Sequence, residues 1–184
     1  MELDVCIKGR RSVRCYTKEP VSKEQIEAIL EAGTWAPTGM AREPWRFIVI
    51  EDEKLINYVS DETKVVVQQM MPPLAERFKT KEDIICYNAT VLILICGEKD
   101  PQWSSLNLLD CVLATQNMFL KAYSFGLGTC YMGFVSYLNS KPDILRKIGV
   151  PENYELMVPF ILGHPKAKQG VGKRKKPNIL KWIK

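Results

Sequence analysis

The chain has 184 residues, 46% hydrophobic and 26% charged, with a formal net charge of +5, a balance that excludes a disordered or fibrous chain and suits one globular domain spanning residues 1–184. The positive excess is local, because residues 166–184 hold eight Lys or Arg and no acid, leaving 18 of the 26 cations against 21 anions in the first 165. No apolar run approaches the roughly 20 residues that cross a bilayer and MELDVCIKGR lacks a signal-peptide core, so a cytoplasmic location without membrane contact is expected.

In chain order, KGRRSVRCY comes first, with Lys8, Arg10, Arg11 and Arg14 crowded around Ser12. VSKEQIEAILEAG follows and predicts an amphipathic helix: Ser22 is the N-cap, Gln25 completes a capping box, Ile26, Ile29 and Leu30 share a face, and Gly33 is the expected stop. After the turn-rich TWAPTGMAREPW, the β-branched RFIVIE reads as a strand. Residues 65–88 contain Pro72 and Pro73 and read as an irregular cover or lid of short helices. TVLILIC at 90–96 is apolar without alternation, as in a central strand covered on both faces.

The stretch from Ser104 to Gly126 predicts a long central helix, capped by Ser104 or Ser105 and ended by Gly126. Its apolar residues occupy more than one face, so a second subunit is expected to cover part of it. GLGTCYMGF then reads as a glycine-punctuated connection, SKPDILRKIGV as a short helix and YELMVPFILGHP as a strand. Helices and strands mix loosely, which predicts a layered α+β or α/β domain. The basic tail, residues 166–184, suits nucleic acid, a membrane surface or one small anion held by the fold.

Several chemistries are set aside. No P-loop occurs, and GLGTCYMG has the wrong glycine spacing and follows a helix, unlike a dinucleotide fingerprint. A hydrolase triad lacks its GxSxG, and His164 is the single histidine. The six cysteines show no CxxC pair and read as reduced core thiols, so no metal site is expected. Glu51, Asp52 and Glu53 read as a solvated turn. With no reactive constellation of its own, the chain calls for a cofactor.

Four motifs, RRSVRCY, WAPTGMAREPWRFIVIED, GLGTCYMGF and LGHP followed by KRKKP, stand in this order over nearly the whole chain. Together they resemble the nitroreductase family of FMN-dependent oxidoreductases. The resemblance implies an α+β fold, an α/β/α sandwich around a mainly antiparallel sheet. It further implies an intertwined homodimer with two FMN sites built from both chains. Arg10 and Ser12 would hold the flavin phosphate, with Arg11 beside them, and Arg14 would reach the pyrimidine edge of the ring. Lys173, Arg174 and Lys175 would close over the same phosphate. Pro37, Thr38, Gly39 and Ala41 of the partner chain would touch the ribityl chain and ring. Met132 and Gly133 would offer backbone N–H groups to flavin N5 and O4, and Asn88 would face the flavin edge.

One departure stands out. Ala41 occupies the position of the family's Asn and Glu43 that of its Gln, which removes a donor amide and adds a carboxylate. Trp45 reads as a core anchor. Chemically, two distant cation clusters make sense if both converge on one dianion, since Arg forks and a hydroxyl give short charge-assisted bonds to phosphate. The function implied is hydride transfer from NAD(P)H to FMN and on to a nitroaromatic, quinone or flavin by ping-pong kinetics. The alternatives are a non-enzymatic anion or nucleic-acid binding module using the tail, and a flavin carrier without turnover.

Overall fold

The capping box marked by the sequence forms as written: the Gln25 N–H donates to Ser22 Oγ, and the Ser22 N–H donates to Gln25 Oε1. In the computed structural model, which describes residues 1–167 and 170–184, it opens helix α2 (Lys23–Thr34). Before it lies a short helix, α1 (Leu3–Gly9); after it come β1 (Trp45–Ile50), α3 (Glu53–Met70), α4 (Ala75–Phe78) and β2 (Val91–Glu98). Next are α5 (Ser104–Ser124), β3 (Gly128–Tyr131), a 3-10 segment (Gly133–Ser140), α6 (Pro142–Lys147) and β4 (Tyr154–Gly163). The strands pair antiparallel in the order β1-β2-β4-β3.

β2 and β4 are central, and β2 explains its own sequence. Leu92, Leu94 and Cys96 point into a core built with α3, the 3-10 segment and α6. Val91, Ile93 and Ile95 point to the other face, under α2 and α5. Both faces of an antiparallel strand are thus roofed by helices, and alternation has no solvent side to mark. Trp45 is buried in the α2/α5 core, as an anchor should be.

Four expectations change. Gly33 does not stop α2, which runs to Thr34; it lies where α2 crosses α5, and a Cβ there would stand 2.9 Å from Met118 Cγ and Sδ. Neither Ser104 nor Ser105 caps α5: Trp103 holds the cap position, and Ser104 Oγ donates to Glu155. GLGTCYMGF is more than a connection, because Gly128–Tyr131 forms edge strand β3. Residues 65–70 are not irregular but the last turns of α3, capped by Asp52, whose carboxylate accepts from the Leu55 N–H. The buried face of α3 includes Ser60, Thr63 and Lys64, and these polar residues break the apolar periodicity that would announce it. Gly126 does end α5 as expected: it has φ +79°, and the bonds from Gly126 N to Tyr123 O and Leu127 N to Ala122 O complete a Schellman turn.

Five cysteines are buried and Cys15 is exposed. Burial pushes the Cys96 and Cys111 thiols up to about 12 and raises Cys86 and Cys130 as well, so all four stay protonated at neutral pH. Among the described residues, no helix is long and apolar enough to cross a membrane.

The fold fixes the stretch Ser12–Thr17 at the sheet edge. The Val13 N–H donates to Thr129 O of β3, the Thr17 N–H to His164 O, and the Lys166 N–H to Cys15 O. Gly128 permits this approach, because a Cβ there would lie 2.7–3.0 Å from the buried, β-branched Val13. Gly128→Ala should cost about 1–3 kcal/mol, the usual range for overpacking. Urea unfolding of the variant should show an earlier midpoint; an unchanged midpoint would mean that Val13 yields freely.

Candidate active site

Because Ser12–Thr17 is tied both to β3 and to the chain leaving β4, the basic N-terminal stretch meets the start of the basic tail. Arg10 and Arg11 help to wall a cavity of about 380 Å³ with Val13, Leu127, Thr129 and Pro165. Gly172 of the tail is pressed against the Arg11 guanidinium with no room for a Cβ, and Arg174 Nη1 lies at the same place. Arg10 is half-buried over the Phe119 ring, 5.8 Å from its centroid. Its pKa is lowered, first by burial and then by Arg174 and Arg11. No ion pair of the described residues neutralises Arg10, Arg11 or Arg174. Three cations held together without an acid form a site for a polyvalent anion. Ser12 is exposed at its edge and pairs with Thr129 in an isolated bridge.

Arg14 points the other way. With Tyr131, Met132 and Gly133 it lines a second cavity of about 390 Å³, whose far wall is Arg77, Phe78, Ile84, Ile85 and Tyr87. The wall from 84 to 88 is shaped by one carboxylate. Asp83 Oδ1 accepts from Ser60 Oγ, Ile85 N and Cys86 N, and Oδ2 accepts from Asn88 N. These bonds hold Tyr87 and Asn88 at φ 52° and 55°, in the left-handed region. Lys64, buried in α3, donates to Thr80 O and Glu82 O and fixes the approach to the loop.

Of the two expected backbone donors, Met132 is already engaged, since its N–H donates to Pro159 O at 2.9 Å. Gly133 begins the 3-10 segment, where the first N–H groups have no partner within the turn. Asn88 lies in an exposed turn outside the cavity lining. Lys173 and Lys175 are exposed, while Arg174 reaches the cluster. Lys168 and Gln169, inside the expected tail, lie outside the described residues.

The middle loop joins neither cavity of its own chain: Pro37, Thr38, Gly39 and Ala41 line neither. It is moored to α5 instead. The buried Asp110 accepts from Thr38 Oγ1 at 2.8 Å and from Gly39 N, and Thr38 Oγ1 accepts in turn from Glu43 N. Met40, Ala41 and Glu43 all have positive φ, so Ala41 occupies a backbone conformation that Asn adopts more readily. Glu43 is exposed, and Arg42 pairs with Asp100 rather than with it, stacking on the Trp103 ring.

Residues 7–164 match the model of the Nitroreductase family. The chain belongs to the nitroreductase family. It is 30% identical over 171 residues to an Archaeoglobus fulgidus protein provisionally named NADH dehydrogenase/NAD(P)H nitroreductase, covering 89% of this chain and 87% of that one. The fold matches a Bacteroides fragilis nitroreductase with bound FMN at a TM-score of 0.84 and 29% identity, over 100% of this chain and 98% of the other. A Desulfitobacterium hafniense nitroreductase with bound FMN gives 0.86 at 25% identity, over the whole of both chains.

The nitroreductase residues here fit FMN on their own chemistry. The acid-free Arg10–Arg11–Arg174 cluster suits a phosphate dianion, and Arg14 and Gly133, at the border of the second cavity, offer a cation and a backbone N–H to the edge of a ring. Asp83 and Asp110, the two carboxylates that shape the surrounding loops, went unnoticed in the sequence. The signal for Asp83 was its place five residues before Asn88, but the Ser60 contact that completes it is 23 residues away in the chain. Asp83→Ala should cost about 1.5–3 kcal/mol, because several backbone donors lose a charged acceptor. Hydrogen exchange should show faster exchange at Cys86 and Asn88; unaltered protection there would remove Asp83 from this role.

Proposed function

We propose that the chain is an FMN-dependent oxidoreductase that takes electrons from NAD(P)H and delivers them to a small aromatic acceptor, a nitroaromatic, quinone or flavin. The single observation carrying this reading is the convergence of Arg174 on Arg10 and Arg11 without an acid, on the same N-terminal stretch whose Arg14 lines a second cavity with Gly133. The FMN carried by the Bacteroides fragilis and Desulfitobacterium hafniense relatives supports it. When bound, FMN would supply a two-electron carrier able to take hydride from NAD(P)H and release the electrons to a second substrate, the ping-pong order.

In this reading Arg10, Arg11 and Arg174 neutralise the phosphate, Ser12 donates its hydroxyl to it, and Lys173 and Lys175 add to the surrounding positive potential. Arg14 would lie at the pyrimidine edge, where a cation favours the negative charge that reduction brings to the ring. The Gly133 N–H, without a partner within its turn, would be a donor to the same ring. No side chain has to act as acid or base.

The site needs a second copy of the chain. Leu109 and Leu113 on α5 are exposed, beside an apolar groove of about 410 Å³ that includes Leu108, Val112 and Tyr131. In the proposed dimer the other copy covers this face and would contribute its Pro37–Ala41 loop to the shared site. Light scattering should give a dimer, and Leu109→Asp with Leu113→Asp should yield monomers that lose FMN; a monomer retaining FMN would exclude the shared site.

The protein should purify yellow and release FMN. Arg10→Ala should weaken FMN binding about 10- to 150-fold, the value of a charge-assisted hydrogen bond. Arg14→Ala should leave binding within a few-fold and lower the flavin potential. Colourless protein that takes up no added FMN would overturn the function.

A further inference from the structure

The cavity beside Arg14 has a second cation that the flavin reading does not use. Arg77, on the short helix α4, lines the same cavity as Arg14. It makes no ion pair or hydrogen bond among those of the described residues, and its neighbour Glu76 is turned to Lys79. No carboxylate lines the cavity.

Much of the remaining lining is aromatic. Phe78 meets Phe134 edge to face at 5.3 Å, and Phe134 stacks on Tyr137 with centroids 6.3 Å apart and planes 27° from parallel. Tyr87 and Tyr131 complete it. Such a surface binds a flat ring by offset stacking, and a guanidinium at its rim binds a planar carboxylate in bidentate fashion. A cationic ligand is disfavoured, because Arg14 and Arg77 give the cavity one sign of charge and no acid offsets them.

We propose that the acceptor taken by this cavity is a planar aromatic bearing an anionic group, with its ring against the Phe134 and Tyr137 wall and its charge at Arg77. The inference rests on the reading that Arg14 and Gly133 border bound FMN. It makes Arg77 a specificity-determining residue.

The test uses FMN-loaded protein and calorimetric titration with 4-nitrobenzoate and with 4-nitrobenzamide, which is nearly isosteric and uncharged. Wild type should bind the carboxylate about tenfold more tightly, a charge-assisted bond discounted for the exposure of Arg77. Arg77→Gln should erase the preference by weakening the carboxylate alone, with FMN content unchanged, and Arg77→Glu should reverse it. Equal binding of both compounds to wild type, or no binding of either, would overturn the inference while leaving the FMN function intact. So would an Arg77→Gln variant that loses affinity for NAD+ but not for 4-nitrobenzoate, since Arg77 would then serve the dinucleotide. Protein that takes up no FMN would sink the underlying reading and this inference with it.

Discussion

Three backbone hydrogen bonds, from Val13 to Thr129, Thr17 to His164 and Lys166 to Cys15, stitch the segment Ser12–Thr17 between the edge strand and the exit of β4. Everything at the site follows from this tie. It places Arg10 and Arg11 on one side of the segment and Arg14 on the other, so one extended stretch contributes to two cavities. It also delivers the tail to the N-terminal cluster across more than 150 residues of sequence, producing a repulsion among Arg10, Arg11 and Arg174 that the folded chain does not itself neutralise. An uncompensated cluster of this kind is costly for stability and useful for binding, because an incoming dianion removes the repulsion as it forms its own bonds.

The tie is affordable because the sheet beneath it is rigid. β2 and β4 are buried on both faces, and their side chains divide between two helical layers. Glycines permit close approaches within the fold, among them Gly128 against Val13 and Gly33 against Met118 where α2 crosses α5. The loops at the site are less regular but no less determined. Asp83 gathers the donors of 83–88 and Asp110 those of 38–39, each a single carboxylate replacing the hydrogen bonds that a regular element would provide. Both loops contain non-glycine residues at positive φ, a conformation that persists only when surrounding bonds over-determine it.

α5 joins the fold to the assembly. One face carries Cys111, Ala114 and Met118 into the core, and Asp110 holds the Thr38 loop, while Leu109 and Leu113 face outward. A helix serving both core and surface has no clean stripe, which is why its sequence reads as apolar on more than one side. The same loop that Asp110 secures is the one that lines neither cavity of its own chain. Its mooring on a helix that also presents Leu109 and Leu113 outward makes it part of the same face of the molecule.

By itself the sequence determined α2 with its capping box, strands β1, β2 and β4, the Gly126 stop of α5, and the family motifs in order. These depend on residues within a few positions of one another, where propensity, capping and burial act locally. Tertiary structure alone decided the rest. α3 carries polar residues on its buried face because Lys64 and Ser60 find partners in the 80–83 loop. β3 is a strand because β4 offers it an edge, and Gly33 is a packing site because α5 crosses there. Met132 is lost as a donor because Pro159 O lies within reach, and Arg174 rather than Lys173 or Lys175 joins the cluster because of how the tail passes Arg11. In each case the deciding partner is distant along the chain, and a hydrogen bond or steric contact leaves no periodic trace in the residues that make it.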